Sequence, residues 1–238
     1  MSMALAPRLS AAQQAALLSN PWFASLARSQ REALVGAAEL LHLRRGEMLF
    51  RQGDPVGAAG SGFYGLVAGT IKASTLRSDG REAILAVLEP GNWFGEITLI
   101  DGAPRTHDAT ARSSIAVLVV APEAFARLMR DAAFANAMAR LLAARVRVLY
   151  GLAEDNTLRD LRARVARRLL TLSRGDATQS PSARARVVLP QEALAMMLGI
   201  TRQTLSMQLN ALAAEGVIRL GYRRVDIMDF DALAALAG

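Results

Sequence analysis

The sequence predicts an α+β chain in which an N-terminal jelly-roll β-roll is followed by a long helix and a C-terminal winged helix-turn-helix. Short β-favouring runs between residues 44 and 120 are separated by glycines, which is typical of an antiparallel β barrel or roll. A continuous helical pattern follows Pro122. Near the C-terminus, a helix–glycine–helix segment at residues 191–215 precedes two short strands. These observations divide the chain into three parts, residues 1–122, 123–158 and 159–238.

The first part combines short helices with strands. Residues 10–43 are expected to be helical, with a turn at Asn20-Pro21 and with Leu34, Leu40 and Leu41 facing a core. The β-favouring runs that follow are Met48–Phe50, Phe63–Val67, Thr70–Leu76, Ala83–Leu88 and Ile115–Val120. The spacing of the glycines that separate them does not form an internal repeat.

The long helix carries an apolar seam with alternating steps of four and three residues. Its positions are Phe134, Met138, Leu141, Arg145, Val148 and Leu152. Such an a/d pattern is typical of two helices packed side by side, so it favours a homodimer. A helix that packs on its own barrel is the alternative.

Composition excludes several classes of protein. The chain of 238 residues is 52% hydrophobic, which is enough for a buried core, but no apolar run approaches the ~20 residues that cross a bilayer. The first ten residues lack the pattern of a secretory signal, so we expect a cytoplasmic protein without a membrane partner. The absence of cysteine excludes disulfides, thiol redox sensing and cysteine-ligated clusters. The two histidines, His42 and His107, do not predict a metal site or a covalent cofactor.

The positive charge is concentrated near the C-terminus. The formal net charge is +7, and residues 159–238 carry 12 basic against 7 acidic side chains, compared with 16 and 14 in the rest of the chain. This excess indicates a polyanion as the partner of the third part. A merely solvated basic face is the alternative.

Residues 189–205 have the residue pattern of a helix-turn-helix. After a helix from Arg162 to Leu172 comes a stretch expected to be an exposed loop, which contains Gly175, Ser180, Pro181 and Ser182. The residues expected to build the motif are Pro190 in a first helical turn, Ala195 at the helix crossing, Gly199 at the helix end, Ile200 in the core and Thr201 as a cap. Leu205, Leu209 and Leu212 are expected to face inward.

The second helix of this motif offers residues that suit double-stranded DNA. The predicted DNA-binding residues are Thr201, Arg202, Gln203, Thr204, Ser206 and Met207. Arg202 can bond guanine in bidentate fashion and Gln203 can bond adenine, whereas the two threonines can hold phosphates. A plain helical hairpin is the alternative, but the basic charge and the following β wing favour DNA.

Residues 20–238 resemble the Crp/Fnr family of cyclic-AMP-receptor-type transcription regulators. The segments Arg45–Asp54 and Ala68–Lys72 resemble turns of its β-roll, and Phe94–Thr106 is similar to the phosphate-binding cassette of cyclic-nucleotide-binding domains. The resemblance implies an effector-sensing β-roll of the cyclic-nucleotide-binding type, a dimerisation helix with a hinge, and a winged helix-turn-helix that binds DNA. It also leaves RNA polymerase open as a further partner.

The cassette contains the groups that a cyclic phosphate needs, namely a cation, a hydroxyl and close backbone. Arg105 would bind the phosphate, Thr106 would donate to it, Gly95 would let the backbone approach the ribose, and Glu96 would accept from the 2′-hydroxyl. The alternative is that Glu96 and Arg105 simply pair across a barrel turn. Because no nucleophile with a base partner and no Walker-type loop accompany these groups, we predict a binding protein without catalytic residues rather than an enzyme.

Two departures from the family pattern bear on specificity. The long helix has Val148-Leu149-Tyr150-Gly151 where cyclic-AMP-type members supply a Thr-Ser pair to the base, so Tyr150 is the candidate to stack on the base or donate to it. Thr106 stands where the family usually has serine, which resembles cyclic-GMP-selective domains; cyclic AMP and cyclic GMP therefore both remain candidates. The recognition helix keeps only Arg202 of the family's Arg-Glu-x-x-x-Arg set, which implies a different operator.

These inferences predict a homodimeric DNA-binding regulator that a cyclic nucleotide gates allosterically. Rearrangement at the hinge, Leu158-Arg159-Asp160, would match the two heads to half-sites ~34 Å apart. Two alternatives remain. The same fold can respond to another effector, such as a cyclic dinucleotide or a metabolite, or to none; or the roll belongs to a regulatory subunit, which the helix-turn-helix disfavours.

Overall fold

A computed structural model describes residues 7–58, 60–76, 78–80, 82–177 and 183–238. The chain divides into two compact units, Met1–Thr75 with Leu85–Ala143 and Leu76–Ile84 with Ala144–Gly238. Among the described residues, no helix combines the length and the hydropathy that a membrane crossing requires. Of the predicted exposed loop, Ser180, Pro181 and Ser182 lie outside the described residues, whereas Gly175 is buried rather than exposed.

Three short helices open the first unit, as predicted, but the helical region ends earlier than expected. The helices are Ala11–Leu18 (α1), Pro21–Ser25 (α2) and Arg28–Gly36 (α3). Asn20 caps α2, since its side chain accepts hydrogen bonds from the backbone N–H groups of Trp22 and Phe23. Residues 38–43 form a strand because they pair with a distant strand of the roll, a contact that local propensity does not encode. Leu34 is buried and Leu40 half-buried as expected, whereas Leu41 is exposed.

The roll consists of two antiparallel sheets. Its strands are Ala38–Leu43 (β1), Met48–Phe50 (β2), Phe63–Ala68 (β3), Ile71–Leu76 (β4), Glu82–Leu88 (β5), Trp93–Phe94 (β6), Asp108–Ala111 (β7) and Ile115–Val120 (β8), with helix Glu96–Asp101 (α4) between β6 and β7. The sheet orders are β1-β8-β3-β6 and β2-β7-β4-β5. The roll is therefore confirmed, although β1, β6, β7 and α4 were not predicted.

Aromatic side chains fill the core between the N-terminal helices and the roll. Trp22 meets Phe63 edge-on with ring centroids 5.9 Å apart, and its Nε1 donates to the carbonyl of Ala137 at 2.8 Å. Phe63 lies 5.3 Å from Phe125 between ring centroids. This core fixes the helices that follow the roll, Pro122–Leu128 (α5) and the first turns of Ala132–Leu158 (α6).

The predicted seam of α6 divides into two halves that differ in burial. Phe134 and Met138 are almost completely buried in the aromatic core of the first unit, so this half of the seam packs on its own roll. In the second unit, Val148 and Leu152 keep 42% and 36% of their surface exposed. The packing of the helix on its own roll therefore holds for the first half of the seam, whereas the second half leaves apolar side chains exposed, and its use as a dimer contact stays a prediction.

The second unit contains the predicted helix-turn-helix and its wing. Its helices beyond α6 are Leu161–Ser173 (α7), Gln191–Leu198 (α8), Arg202–Ala214 (α9) and Phe230–Ala237 (α10), and its strands are Arg186–Val187 (β9), Ile218–Gly221 (β10) and Arg224–Ile227 (β11). The sheet order is β10-β11-β9. Asp160 caps α7 by accepting from the backbone N–H of Ala163 at 2.8 Å, so the expected hinge coincides with a break between helices. The strand β9 and the helix α10 were not predicted.

Candidate functional site

Arg105 is the centre of the predicted phosphate cassette, and the structure buries it. Its guanidinium donates through Nη1 to the carbonyl of Gly95 at 2.8 Å and through Nη2 to the carbonyl of Gly62 at 3.1 Å. The carbon of the guanidinium lies 4.3 Å from the ring centroid of Phe50 and 5.4 Å from that of Tyr64. A cation held between two rings is fixed in position without a water shell, which strengthens its attraction for an anion.

The Tyr64 hydroxyl connects this cation to the loop before β3. It donates to the carbonyl of Gly60 and accepts from Nη2 of Arg105 at 3.4 Å. Burial raises the pKa of Tyr64 above its usual value, although the nearby guanidinium of Arg105 acts in the opposite direction. The phenol is therefore neutral at physiological pH and serves as a hydrogen-bonding group.

Gly95 and Glu96 lie where β6 meets α4, beside the cation. Gly95 has φ of +92°, and a Cβ there would come within 2.7 Å of the Tyr64 ring and 2.9 Å of the Gly62 carbonyl oxygen. A side chain at this position is therefore excluded by the protein's own backbone and ring, independently of any ligand. Glu96 begins α4 and is completely buried. The structure thus joins Gly95 to Arg105 by a hydrogen bond and buries Glu96 next to Gly95 in the chain.

Thr106 and Tyr150, the other two predicted ligand contacts, differ in their surroundings. Thr106 is exposed, and its Oγ1 lies 2.8 Å from Nδ1 of His107. Tyr150 belongs to the second unit and keeps 74% of its surface exposed on α6. Its role at the base of an effector remains a prediction.

In the turn between α8 and α9, most residues have the roles that the sequence pattern predicts. Gly199 ends α8 in the left-handed conformation at φ of +67°, and the Thr201 hydroxyl caps α9 by accepting from the backbone N–H of Thr204 at 3.1 Å. Pro190 precedes α8 as its cap rather than lying in its first turn, because its backbone is extended. Ala195 is buried and Ile200 is half-buried. Leu205, Leu209 and Leu212 are completely buried, so the inward face of α9 is as predicted.

The opposite face of α9 carries the predicted DNA-binding residues. Thr201, Arg202, Gln203 and Met207 are exposed at its N-terminal end, and Thr204 and Ser206 are half-buried. Thr201 and Thr204 also share a hydrogen bond between their hydroxyls at 2.8 Å. This end of the helix can therefore present one cation, one amide and several hydroxyls to a groove.

Most of the arginines among residues 159–238, which carry the basic excess, serve the structure of the second unit itself. Asp155 accepts from Nε of Arg159 and from Nε of Arg167, each at 2.8 Å. Arg168 pairs with Asp176 at 3.0 Å with both side chains buried. Further arginines tie helices together or bridge the wing: Arg162 pairs with Glu215, Arg164 donates to the Leu198 carbonyl, and Arg186 and Arg224 both pair with Asp226. Net charge alone thus overstates the surface available for a polyanion.

The wing contains two exposed residues that sequence reasoning did not single out. Gly221 pairs with Arg224 across the hairpin, so Tyr222 and Arg223 form its tip. Tyr222 is 90% exposed, and Arg223 is an exposed cation in the left-handed conformation at φ of +53°. At the base of this tip, the hydrogen bond from Arg186 holds the pKa of Asp226 below its usual value. The signal that could have found them is the run Gly-Tyr-Arg-Arg between two β-favouring segments.

Comparison with known families matches both units. Residues 40–132 match the cyclic nucleotide-binding domain, and residues 163–236 match the Crp-like helix-turn-helix domain. The CRP-like cAMP-activated global transcriptional regulator of Mycobacterium tuberculosis is 31% identical over 207 residues, which cover 86% of this chain and 91% of that protein. The cyclic AMP receptor protein of Thermus thermophilus is 31% identical over 219 residues, which cover 92% and 97%.

Solved structures give the same result. A CRP-family transcriptional regulator from Thermus thermophilus is 30% identical with a TM-score of 0.65, and the match covers 83% of this chain and 96% of that one. FixK2 from Bradyrhizobium japonicum shares the fold with a TM-score of 0.73 at 23% identity, and the match covers 84% of this chain and 98% of that one. Because both the sensor and the helix-turn-helix match over nearly the full length of these relatives, the chain belongs to the CRP/FNR family of DNA-binding transcription regulators.

Proposed function

We propose that this regulator works as a homodimer whose affinity for DNA is gated by a cyclic nucleotide bound in the β-roll. The guanidinium of Arg105, buried between the rings of Phe50 and Tyr64, supports this proposal most directly. It is a buried cation whose hydrogen bonds go to two carbonyl oxygens and one phenol oxygen, and a phosphate is a stronger acceptor for such a cation than these neutral groups. Gly95, Glu96, Thr106 and, from the long helix, Tyr150 are the proposed partners for the rest of the ligand.

The proposed effector is cyclic AMP or cyclic GMP. The relatives from M. tuberculosis and T. thermophilus are named for cyclic AMP. The fold by itself does not choose the ligand, since a regulator of Xanthomonas campestris at 21% identity is described as responsive to c-di-GMP. Thr106 and Tyr150, which differ from the cyclic-AMP-type pattern, keep both mononucleotides as candidates.

The decisive experiment measures DNA affinity with and without each effector. Operator DNA is first selected from a random pool with the full-length protein, and its affinity is then followed by fluorescence anisotropy with cyclic AMP, cyclic GMP or c-di-GMP. We expect one cyclic mononucleotide to tighten binding, because a ligand shifts an equilibrium only by its unequal affinity for two states. Equal DNA affinity under all conditions would contradict gating by these nucleotides.

The exposed half of the α6 seam is the proposed dimer interface. Replacing Val148 with glutamate should convert the dimer to a monomer at micromolar concentration, because two like charges would meet within an apolar seam. Sedimentation equilibrium measures this change. Leu158→Glu is the matched control, since Leu158 is 76% exposed on the same helix but lies off the seam. A V148E protein that stays dimeric would place the interface elsewhere.

The recognition helix and the wing should contribute to DNA binding in different ways. Arg202→Ala should relax base preference at one position and cost ~1–3 kcal/mol there, because a bidentate contact to guanine is lost. Arg223→Ala should weaken binding equally for all sequences and lower the slope of affinity against salt by about one phosphate contact. Selection of bound DNA from a random pool, combined with a salt titration, separates the two. If R202A weakens all sequences uniformly, Arg202 contacts phosphate instead.

A further inference from the structure

His107 directly follows the Arg105-Thr106 pair, and both His107 and Arg105 contact the Phe50 ring. Its ring meets the Phe50 ring edge-on with centroids 5.7 Å apart, and the same Phe50 ring lies 4.3 Å from the Arg105 guanidinium carbon. The imidazole is half-buried, and its Nδ1 lies 2.8 Å from Oγ1 of Thr106. A titratable group is therefore joined by one hydrogen bond to the hydroxyl that is proposed to hold the phosphate.

The protonation state of Nδ1 decides what the Thr106 hydroxyl can do. A hydroxyl has a single proton to donate. When Nδ1 is bare, it accepts that proton, and Thr106 offers the ligand only lone pairs. When Nδ1 carries a proton, the imidazole donates to Oγ1, and the hydroxyl proton is released to point toward an anion.

We propose that His107 is a positioning residue of the effector site which, in its protonated form, turns the Thr106 hydroxyl toward the phosphate and adds a second positive charge beside Arg105. This inference rests on the proposed binding of a cyclic nucleotide in the roll. It predicts that effector binding takes up a proton, and that affinity for the effector rises as pH falls through the range in which an imidazole titrates. The phosphodiester of the ligand keeps its single charge throughout this range, so the dependence of affinity on pH comes from the protein.

Several charged residues lie on the segments around this imidazole, and each affects its protonation according to the sign of its charge. Arg105 opposes its protonation, as does Lys72 on the neighbouring strand β4. The carboxylates of Asp54, Glu96 and Asp108 favour it. Two of these carboxylates already accept backbone hydrogen bonds: Asp54 from Arg51 at 2.8 Å and Asp108 from Gln52 at 2.7 Å. The arriving phosphate adds a negative charge beside the imidazole, and this is the change on binding that favours the imidazolium.

The chain makes this inference simple to test because it has only two histidines. His42 is exposed on β1, so His42→Gln leaves His107 as the single imidazole. In the full-length H42Q protein, we expect the imidazole C–H resonances to titrate at higher pH when cyclic AMP or cyclic GMP is bound than when it is absent. A titration that does not move on binding overturns the proposal without any change to His107 itself.

Calorimetry with His107 variants supplies the second measurement. At about pH 5.5 the parent and H42Q proteins should bind the nucleotide about fivefold more tightly than at about pH 8, as for a partly solvated charge pair. His107→Asn should lose this pH dependence while its amide nitrogen, in the place of Nδ1, still donates to Thr106, and His107→Ala should bind more weakly than H107N at the higher pH. A pH dependence in H107N equal to that of the parent overturns the proposal. If the parent binds the nucleotide with the same affinity at both pH values, only the role of His107 is overturned. If the parent binds no nucleotide at either pH, the proposed effector is overturned as well.

Discussion

Arg105→Gln should weaken effector binding about a hundredfold, which corresponds to on the order of 3 kcal/mol. The change removes the buried cation and the planar fork that two phosphate oxygens would share, and glutamine provides only a neutral amide. It also leaves the carbonyls of Gly62 and Gly95 without their present donor, so the roll should unfold at a lower temperature. Isothermal titration and thermal melts of the full-length protein measure both effects.

Two further variants make the Arg105 result specific. Arg51→Gln also removes one positive charge from the same region, but Arg51 is exposed, so binding should change little. Arg105→Lys keeps the positive charge but loses the planar pair of N–H donors. Its affinity for the nucleotide should therefore lie between that of R105Q and that of the parent. If R105Q binds the nucleotide as tightly as the parent, Arg105 has only a structural role.

Asp155→Ala should destabilise the second unit by roughly 2–3 kcal/mol. Its carboxylate is only 10% exposed and accepts from two arginines, one at the end of α6 and one on α7. Removing it leaves the partly buried guanidiniums of Arg159 and Arg167 without a counter-charge. Differential scanning calorimetry should show the loss in the transition of the second unit.

An exposed pair provides the control for Asp155. Arg28 and Glu32 form an ion pair on α3 with side chains 87% and 64% exposed. Glu32→Ala should leave the melting temperature unchanged, because water and salt already screen this pair. A D155A protein as stable as E32A would mean that the Asp155 cluster contributes nothing to the fold.

The strands of the roll show where sequence reasoning stops. Five of its strands are recognisable because each is a β-favouring run next to a turn. The local pattern assigns residues 38–43 to the helical region, and it predicts neither β6 nor β7. Each of these segments is short or ambiguous by local pattern and becomes a strand through pairing with a partner far away in the chain, such as Ala38 with Val120.

The effector site shows the same limit. Gly95, Glu96, Arg105 and Thr106 lie within one segment of 12 residues, so a linear motif could indicate them. The cage around Arg105 comes from Phe50, Gly62 and Tyr64, which lie on β2 and around the start of β3. No spacing rule connects these residues to the cassette, because the fold of the sheets brings them together.

Features that depend on neighbours along the chain can be read directly from the residues: the helix-turn-helix with its Gly199 turn and Thr201 cap, the inward leucines of α9 and the cassette of the roll. How each charge and each apolar face is used depends instead on tertiary contacts. Those contacts give most arginines among residues 159–238 internal partners, bury Phe134 and Met138 in the roll, and leave Val148 and Leu152 exposed. The physical reason is that helix caps and periodicity act over a few residues, whereas burial and ion pairing join groups that are distant in sequence.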